Sequence, residues 1–328
     1  MKIGILGAGA MGSLVGAHLK KGGAEVYFID IFEEHMKAVR EKGLEMALEN
    51  ESEPQIVFVD GAVTDGKDVG ICDVVVVLVK YVDIGTAVES NPALFGKDTV
   101  VLSFQNGVGA VDVLAEYFDD DHLGLGVLKS SANILSPGKI KGRANFANSP
   151  KGIYFSPLNW DTPYFHVFGE LENLWNRGGM PAECSNRTEE FIWDKLCINI
   201  MYNGIAALLQ TANEDNDGHP DGWLLMKELV REACEVARAK GIDLDINDYW
   251  KDRSTRVYDR SRVKSFHYVS ALFDSVQKRK TEIDILNGTI VREGKKYGIP
   301  TPYNETIWRL VRVMQDNYDN KFKPDWAT

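Results

Sequence analysis

The first thirty residues constrain the fold more than any other stretch. Lys2-Ile3-Gly4-Ile5-Leu6 is a short apolar run, followed directly by Gly7-Ala8-Gly9-Ala10-Met11-Gly12. A helical stretch, Ser13 to Lys21, reaches the stop signal Gly22-Gly23, and a second apolar run, Val26-Tyr27-Phe28-Ile29, ends on Asp30. Strand, glycine turn, helix, strand and acid, in that order, are the sequence form of a dinucleotide-binding βαβ unit. Gly7 permits the tight turn, Gly9 lets the backbone approach a pyrophosphate, and Gly12 lets the helix pack closely on the strand. The helix start then offers amides and a positive dipole end to the phosphates. The six residues Gly7, Ala8, Gly9, Ala10, Met11 and Gly12 are therefore the expected cofactor turn.

The rest of the chain reads as α/β first and helical afterwards. Phe32 to Lys42 predicts a helix, because Phe32, Met36 and Val39 recur at helical spacing and Gly43 stops it. Leu44–Leu48 and Gln55–Asp60 are strand-like. Asp73 to Lys80 encloses a valine run without alternation, which predicts a central parallel strand buried on both faces. Thr99–Phe104 and Leu123–Leu128 are further strands, with a helix expected over Val111–Phe118. The Gly-, Ser-, Asn- and Pro-rich stretch from Ser130 to Ser156 predicts antiparallel strands added at the sheet edge. Tyr164–Trp175 is a helix ended by Gly178-Gly179.

The character changes at Cys184–Thr188, and from Thr188 onward helical patterns dominate. These cover Thr188–Gln210, Trp223–Lys240, a continuous or broken helix from about Phe266 to Tyr297, and Tyr303–Tyr318, with a polar loop at Thr211–Pro220. Asp243–Lys264 is polar and partly basic. The expected domains are residues 1–186, binding the dinucleotide, and residues 187–328, helical and carrying the substrate site. In open α/β sheets the ligand lies beyond the carboxyl ends of the strands.

Charge and rare residues exclude other classes. The net charge of −11 over 328 residues argues against nucleic-acid or anionic-membrane partners. Cys72, Cys184, Cys197 and Cys234 lack metal-ligand spacing and read as reduced thiols. The six histidines are scattered, so no metal is expected. Without a signal-peptide pattern or a long apolar run, the expected location is cytoplasmic.

Several polar residues stand where chemistry is expected. Asp30 follows Gly12 by 18 residues. An acid there accepts the adenosine ribose hydroxyls and repels a 2′-phosphate, which favours NAD; it can equally cap the next helix. Lys80, after the valine strand, reads as a cofactor contact or as a solvent lysine. Asn106, in Gln105-Asn106-Gly107, reads as a ligand amide or as a turn residue. Lys195, Asn199 and Asn203 share one stripe of a largely apolar helix at i, i+4, i+8, which predicts a buried polar site. Ser270 and Asp274 share a face one turn apart, whereas Glu282 falls off that face on a straight helix, so either the helix breaks or a ligand is gripped from two sides.

Taken together these residues resemble the ketopantoate reductase (2-dehydropantoate 2-reductase) family. The resemblance rests on Gly7-x-Gly9-x-x-Gly12, Lys80, Gln105-Asn106-Gly107, Trp193-x-Lys195-x-x-x-Asn199 with Asn203, Ser270 to Asp274, Thr281-Glu282-Ile283-Asp284, Asn287-Gly288, and Gly298-Ile299-Pro300-Thr301-Pro302-Tyr303-Asn304. It implies a Rossmann-type dinucleotide-binding domain followed by an all-helical C-terminal domain. It further implies reduction of a 2-oxo acid at C2, with Lys195 as catalytic acid. Asn106, Asn199 and Asn203 would position substrate and cofactor, and Ser270 and Glu282 would bind substrate, Glu282 through a hydroxyl.

Two departures stand out: Asp30 where many members carry a basic or neutral residue and use NADP, and Ala271 where a methionine often follows the serine. The cofactor expectation is thus NAD from Asp30 and NADP from the family. The expected partner is a small 2-oxo acid, with a homodimer as an assembly open to the chain. The alternatives are an NAD-dependent D-2-hydroxyacid dehydrogenase and a non-catalytic dinucleotide-binding sensor.

Overall fold

Alternate residues of the central strands face opposite ways, and both faces are covered. The computed structural model describes residues 1–49, 51–143, 151–249 and 266–320, so the basic residues Lys251, Arg253, Arg256, Arg260, Arg262 and Lys264 lie outside the described residues. The chain divides into two compact units, residues 1–105 with 109–192 and residues 106–108 with 193–328. The division at residue 186 drawn from the sequence falls just before the last of these crossings.

In the first unit, β1 (Lys2–Leu6), α1 (Ala10–Lys21) and β2 (Glu25–Ile29) form the expected βαβ unit, with β1 and β2 parallel. Next come α2 (Glu33–Lys42), β3 (Leu44–Leu48), β4 (Gln55–Val57) and β5 (Gly61–Val63). β6 (Val74–Val77), α3 (Ile84–Ser90), β7 (Val100–Ser103), α4 (Ala110–Leu114) and β8 (Leu123–Leu128) follow. The unit closes with β9 (Ser131–Ser136), β10 (Lys139–Arg143), β11 (Ile153–Pro157), α5 (Phe165–Arg177) and β12 (Ala182–Cys184).

The eight-stranded sheet has the order β12-β11-β8-β7-β6-β1-β2-β5, and only the β8–β11 pair is antiparallel within it. All four residues of β6 are buried between β1 and β7, as its unbroken valines require. Ile3, Ile5, Val26, Phe28, Val74 and Val76 join one core with Leu14, Leu19 and Trp175, while Leu6, Ile29, Val75, Val77 and Val101 join another with Ile84 and Leu114. That is the period-two alternation of a doubly covered sheet. Strand order reverses at β1, so the carboxyl ends of β1 and β6 flank the switch point at which such sheets bind ligands.

Three expectations are corrected. Of the strands within 130–156, only β11 joins the main sheet; β9 and β10 form a separate four-stranded sheet, β4-β3-β10-β9, in which β10 runs parallel to β3. The burial of Ile140 and Gly142 on one face of β10 explains this, since they meet the alternately buried β3. The helix expected over Val111–Phe118 is only α4, because the chain leaves the helix at Ala115. Finally, the loop Thr211–Pro220 contains the short helix α7 (Asn213–Asp217), in which the Asp215 carboxylate accepts the amide of Ala212.

The second unit is helical. α6 (Thr188–Leu209) enters it at Trp193, and α8 (Pro220–Ala239), α9 (Ser270–Val276), α10 (Asn287–Tyr297) and α11 (Pro302–Asp316) complete it. Trp193, Leu196, Ile200, Met226, Leu229, Ile290 and Val311 form its core. The pattern from Phe266 to Tyr297 is a broken helix: the chain leaves α9 through Lys278, at φ +55°, and re-enters helix at Asn287. Among the described residues no helix is long and apolar enough to cross a membrane.

Candidate active site

The glycine turn expected to hold the cofactor is built in the first unit. Gly7 has φ +97°, and a Cβ there would sit 2.4 Å from the amide nitrogen of Val79. A Cβ on Gly12 would sit 2.2 Å from the carbonyl oxygen of Gly7. Both positions therefore exclude every other side chain, one by conformation and contact and the other by contact. Gly7 and Ala8 donate their amides to the carbonyl of Ile29 at 2.9 and 3.2 Å, which ties the turn to the end of β2.

The first amides of α1 have no acceptor within the helix. No acidic residue stands in its first turn to occupy them, and a Cβ on Gly9 would meet only Asp30 Oδ2, at 4.0 Å. This open helix start, with no acid in its own first turn, fits a dinucleotide pyrophosphate. Asp30 serves two ends. Oδ1 accepts the Phe32 amide at 2.9 Å and fixes the turn into α2, while Oδ2 lies toward Gly9. Lys80 is exposed, just before the short helical turn Tyr81–Asp83.

The remaining candidate residues lie in the second unit, which includes Asn106. Gln105 prepares that position: its amide donates to the carbonyls of Val77 and Val79 at 3.0 and 3.1 Å, at the end of β6. Gly107 then rests on the segment before α10, where a Cβ would sit 2.2 Å from the carbonyl oxygen of Ile285. Thr289 Oγ1 donates to the carbonyl of Val108 at 3.3 Å. So held, Asn106 Nδ2 donates to Glu282 Oε2 at 3.3 Å.

The stripe on α6 is drawn inward rather than solvated. Lys195 and Asn199 are half-buried and Asn203 is 5% exposed, against fully buried Trp193, Leu196 and Ile200. Asn203 has a structural duty: Nδ2 donates to the carbonyl of Asn199 at 3.0 Å, and Oδ1 accepts the Ala271 amide at 3.4 Å and the Ser270 hydroxyl at 3.5 Å. It thereby caps the start of α9 from a neighbouring helix. Two pairs are thus brought together, Asn106 with Glu282 and Asn203 with Ser270.

Asp274 is not available to a ligand. Its carboxylate accepts Arg279 Nε at 2.9 Å and Nη2 at 2.8 Å. Sequence reasoning gave Gln105 no role; its only signal was its place beside Asn-Gly. None of the four cysteines forms a disulfide, and among the described residues no group of three metal-ligating side chains occurs.

The family model described as Ketopantoate reductase PanE/ApbA matches residues 3–159, and that described as Ketopantoate reductase PanE/ApbA C terminal matches residues 188–315. The chain belongs to the ketopantoate reductase family. Its activity class is accordingly that of an oxidoreductase. The 2-dehydropantoate 2-reductase of Streptococcus pyogenes serotype M6 is 28% identical over 319 residues, 96% of this chain and 98% of that protein. The enzyme of the same name from Pyrococcus horikoshii is 29% identical over 321 residues, again 96% of this chain and 98% of that protein. Among solved structures, a ternary complex of D-mandelate dehydrogenase with NADH and anilino(oxo)acetate matches with a TM-score of 0.81 at 27% identity, covering 97% of this chain and 99% of that one.

Proposed function

We propose that the chain reduces 2-dehydropantoate to pantoate with a nicotinamide dinucleotide. Residues 1–186 hold the cofactor through Gly7–Gly12, Asp30 and Lys80, and residues 187–328, together with Asn106, supply the chemistry. The observation that carries this reading is the half-buried Lys195 on α6, in line with Asn199 and Asn203. A cation withdrawn from solvent beside two amides suits a developing oxyanion better than a surface role. A reduced nicotinamide, when bound, is the hydride source for C2.

Lys195, as ammonium, meets the negative charge that develops on the carbonyl oxygen and gives it a proton, leaving an alcohol and a neutral amine that solvent reprotonates. An alkoxide is a far stronger base than an amine, so the transfer runs downhill. Asn199 orients the carbonyl and Ser270 donates to the substrate carboxylate. Glu282, oriented by Asn106, accepts a substrate hydroxyl, and Asn106 also borders the cofactor. The carboxylate of Asp30 toward Gly9 favours NADH, because a 2′-phosphate brought there meets a like charge. The protein works as a soluble cytoplasmic enzyme, with a homodimer as the assembly to test.

The alternative of a D-2-hydroxyacid dehydrogenase is supported by the match to D-mandelate dehydrogenase, but the curated relatives above favour the ketopantoate reading. The non-catalytic sensor would need neither Lys195 nor Glu282. One assay separates the three: steady-state rates with ketopantoate, phenylglyoxylate and branched 2-oxo acids, each with NADH and with NADPH. The highest kcat/KM is expected for ketopantoate with NADH. A preference for phenylglyoxylate would move the chain to the dehydrogenases, and binding without turnover would make it a sensor.

A further inference from the structure

Beneath the cofactor turn lies a buried polar relay that the reaction does not explain. His35 of α2 and Ser13 of α1 are both 0% exposed. The amide of Gly138, between β9 and β10, donates to His35 Nδ1 at 2.9 Å, and His35 Nε2 lies 3.0 Å from Ser13 Oγ. Ser13 Oγ in turn donates to the carbonyl of Ala8 at 2.9 Å.

These contacts allow one proton arrangement. Nδ1 is an acceptor, so the ring of a neutral His35 carries its proton on Nε2; the serine hydroxyl proton is spent on Ala8, so Ser13 Oγ accepts from Nε2. Donation therefore runs one way, from Gly138 through His35 and Ser13 to Ala8.

The last two members of the relay bracket the turn. Ala8 precedes Gly9–Gly12 and Ser13 follows it, and the Ser13 amide closes the first helical turn on the carbonyl of Gly9 at 2.8 Å. Stability accounts for only part of this arrangement. An apolar pair in the same place would leave the buried Gly138 amide without its His35 acceptor, a cost of about 1–3 kcal/mol that a single local acceptor near Gly138 would spare without reaching the cofactor turn. What an apolar pair cannot do is fix the orientation of the Ala8 peptide, and with it the direction in which the next amides point.

We propose that His35 and Ser13 are positioning residues for the dinucleotide: the relay locks the Ala8 peptide and so aims the Gly9–Gly12 amides at the pyrophosphate. This rests on the reading that the turn binds a dinucleotide, and it adds the second sheet's hairpin, through Gly138, to what holds the cofactor.

The test compares wild type with Ser13→Ala, Ser13→Thr and the apolar double variant Ser13→Ala/His35→Leu. NADH affinity is read by nicotinamide fluorescence, fold by thermal midpoint, and steady-state rates give KM for NADH against kcat. Ser13→Ala is expected to raise the NADH Kd roughly tenfold, with the loss on KM rather than kcat. Ser13→Thr, which keeps the hydroxyl, is expected to recover most of it. The double variant also strands the buried Gly138 amide, so its midpoint is expected to fall below that of Ser13→Ala while its NADH affinity stays at the Ser13→Ala level. Affinity that falls in step with the midpoint across the three variants, or a Ser13→Ala Kd within about twofold of wild type, overturns the inference alone. Wild-type protein that binds neither NADH nor NADPH overturns the cofactor reading, and this inference with it.

Discussion

The two units make their sites from different materials. In the first, the proposed cofactor turn is main chain: its shape is set by Gly7 and Gly12, whose neighbours at 2.4 and 2.2 Å leave no room for a Cβ. In the second, the proposed catalytic stripe is side chain on an ordinary helix, and Lys195 and Asn199 could be exchanged without altering the path of α6, while Asn203 also caps α9. A site made of backbone cannot be lost without disturbing the fold. A site made of side chains can be emptied while the fold stands.

Four changes bear on that contrast. The largest effect is expected from Lys195→Ala, which should lower kcat by about 10²–10⁴-fold, the range of a lost general acid. Thermal midpoint and NADH affinity should stay near wild type; turnover close to normal would remove Lys195 from the chemistry. Gly12→Ala should do the reverse, costing about 1–3 kcal/mol by overpacking against backbone and weakening dinucleotide binding in step. A variant as stable and as tight-binding as wild type would break the contrast. Asp30→Ala should weaken NADH by about tenfold, as expected for one charge-assisted hydrogen bond, and relax discrimination against NADPH; an unchanged NADH/NADPH ratio would take Asp30 out of the cofactor argument.

The smallest effect concerns pH. Burial lowers the pKa of both His18 and His35, opposed for His18 by a hydrogen bond to the carbonyl of Gly178 and for His35 by the charge of Asp30. Each is thus depressed in the folded state, so its contribution is intact above the unfolded value of about 6.5 and declines as pH falls below it, by at most about 1.4 kcal/mol per histidine per pH unit. Both lie in the first unit, whereas His219 and His267 of the second are exposed. Urea unfolding should therefore show stability falling between pH 7 and 5.5, and a flat profile would disprove neutral burial.

What could be read in advance follows the same division. The glycine spacing and the valine run of β6 are local patterns, and each produced its element. The pairing of β10 with β3 was not readable, because Ile140 meets Met46 across almost a hundred residues of chain that carry no local sign of it. The break after α9 was open in the sequence and is made by Lys278 in a left-handed conformation, which periodicity does not reveal. Periodicity put Ser270 and Asp274 on one face, yet Arg279 occupies the Asp274 carboxylate. Glu282 reads locally as a surface acid. Its meeting with Asn106 spans 176 positions, and only the family resemblance singled it out.

Residues 106–108 have a practical consequence for anyone recombining this protein with its relatives. The polypeptide passes from one unit to the other at three points, not one. Gly107 is fitted to the carbonyl of Ile285, and Val108 to Thr289. A chimera spliced once near residue 190 would inherit this tripeptide from one parent and the surface it fits from the other. Hybrids that carry 106–108 along with the helical half keep the lock and the key from the same ancestor.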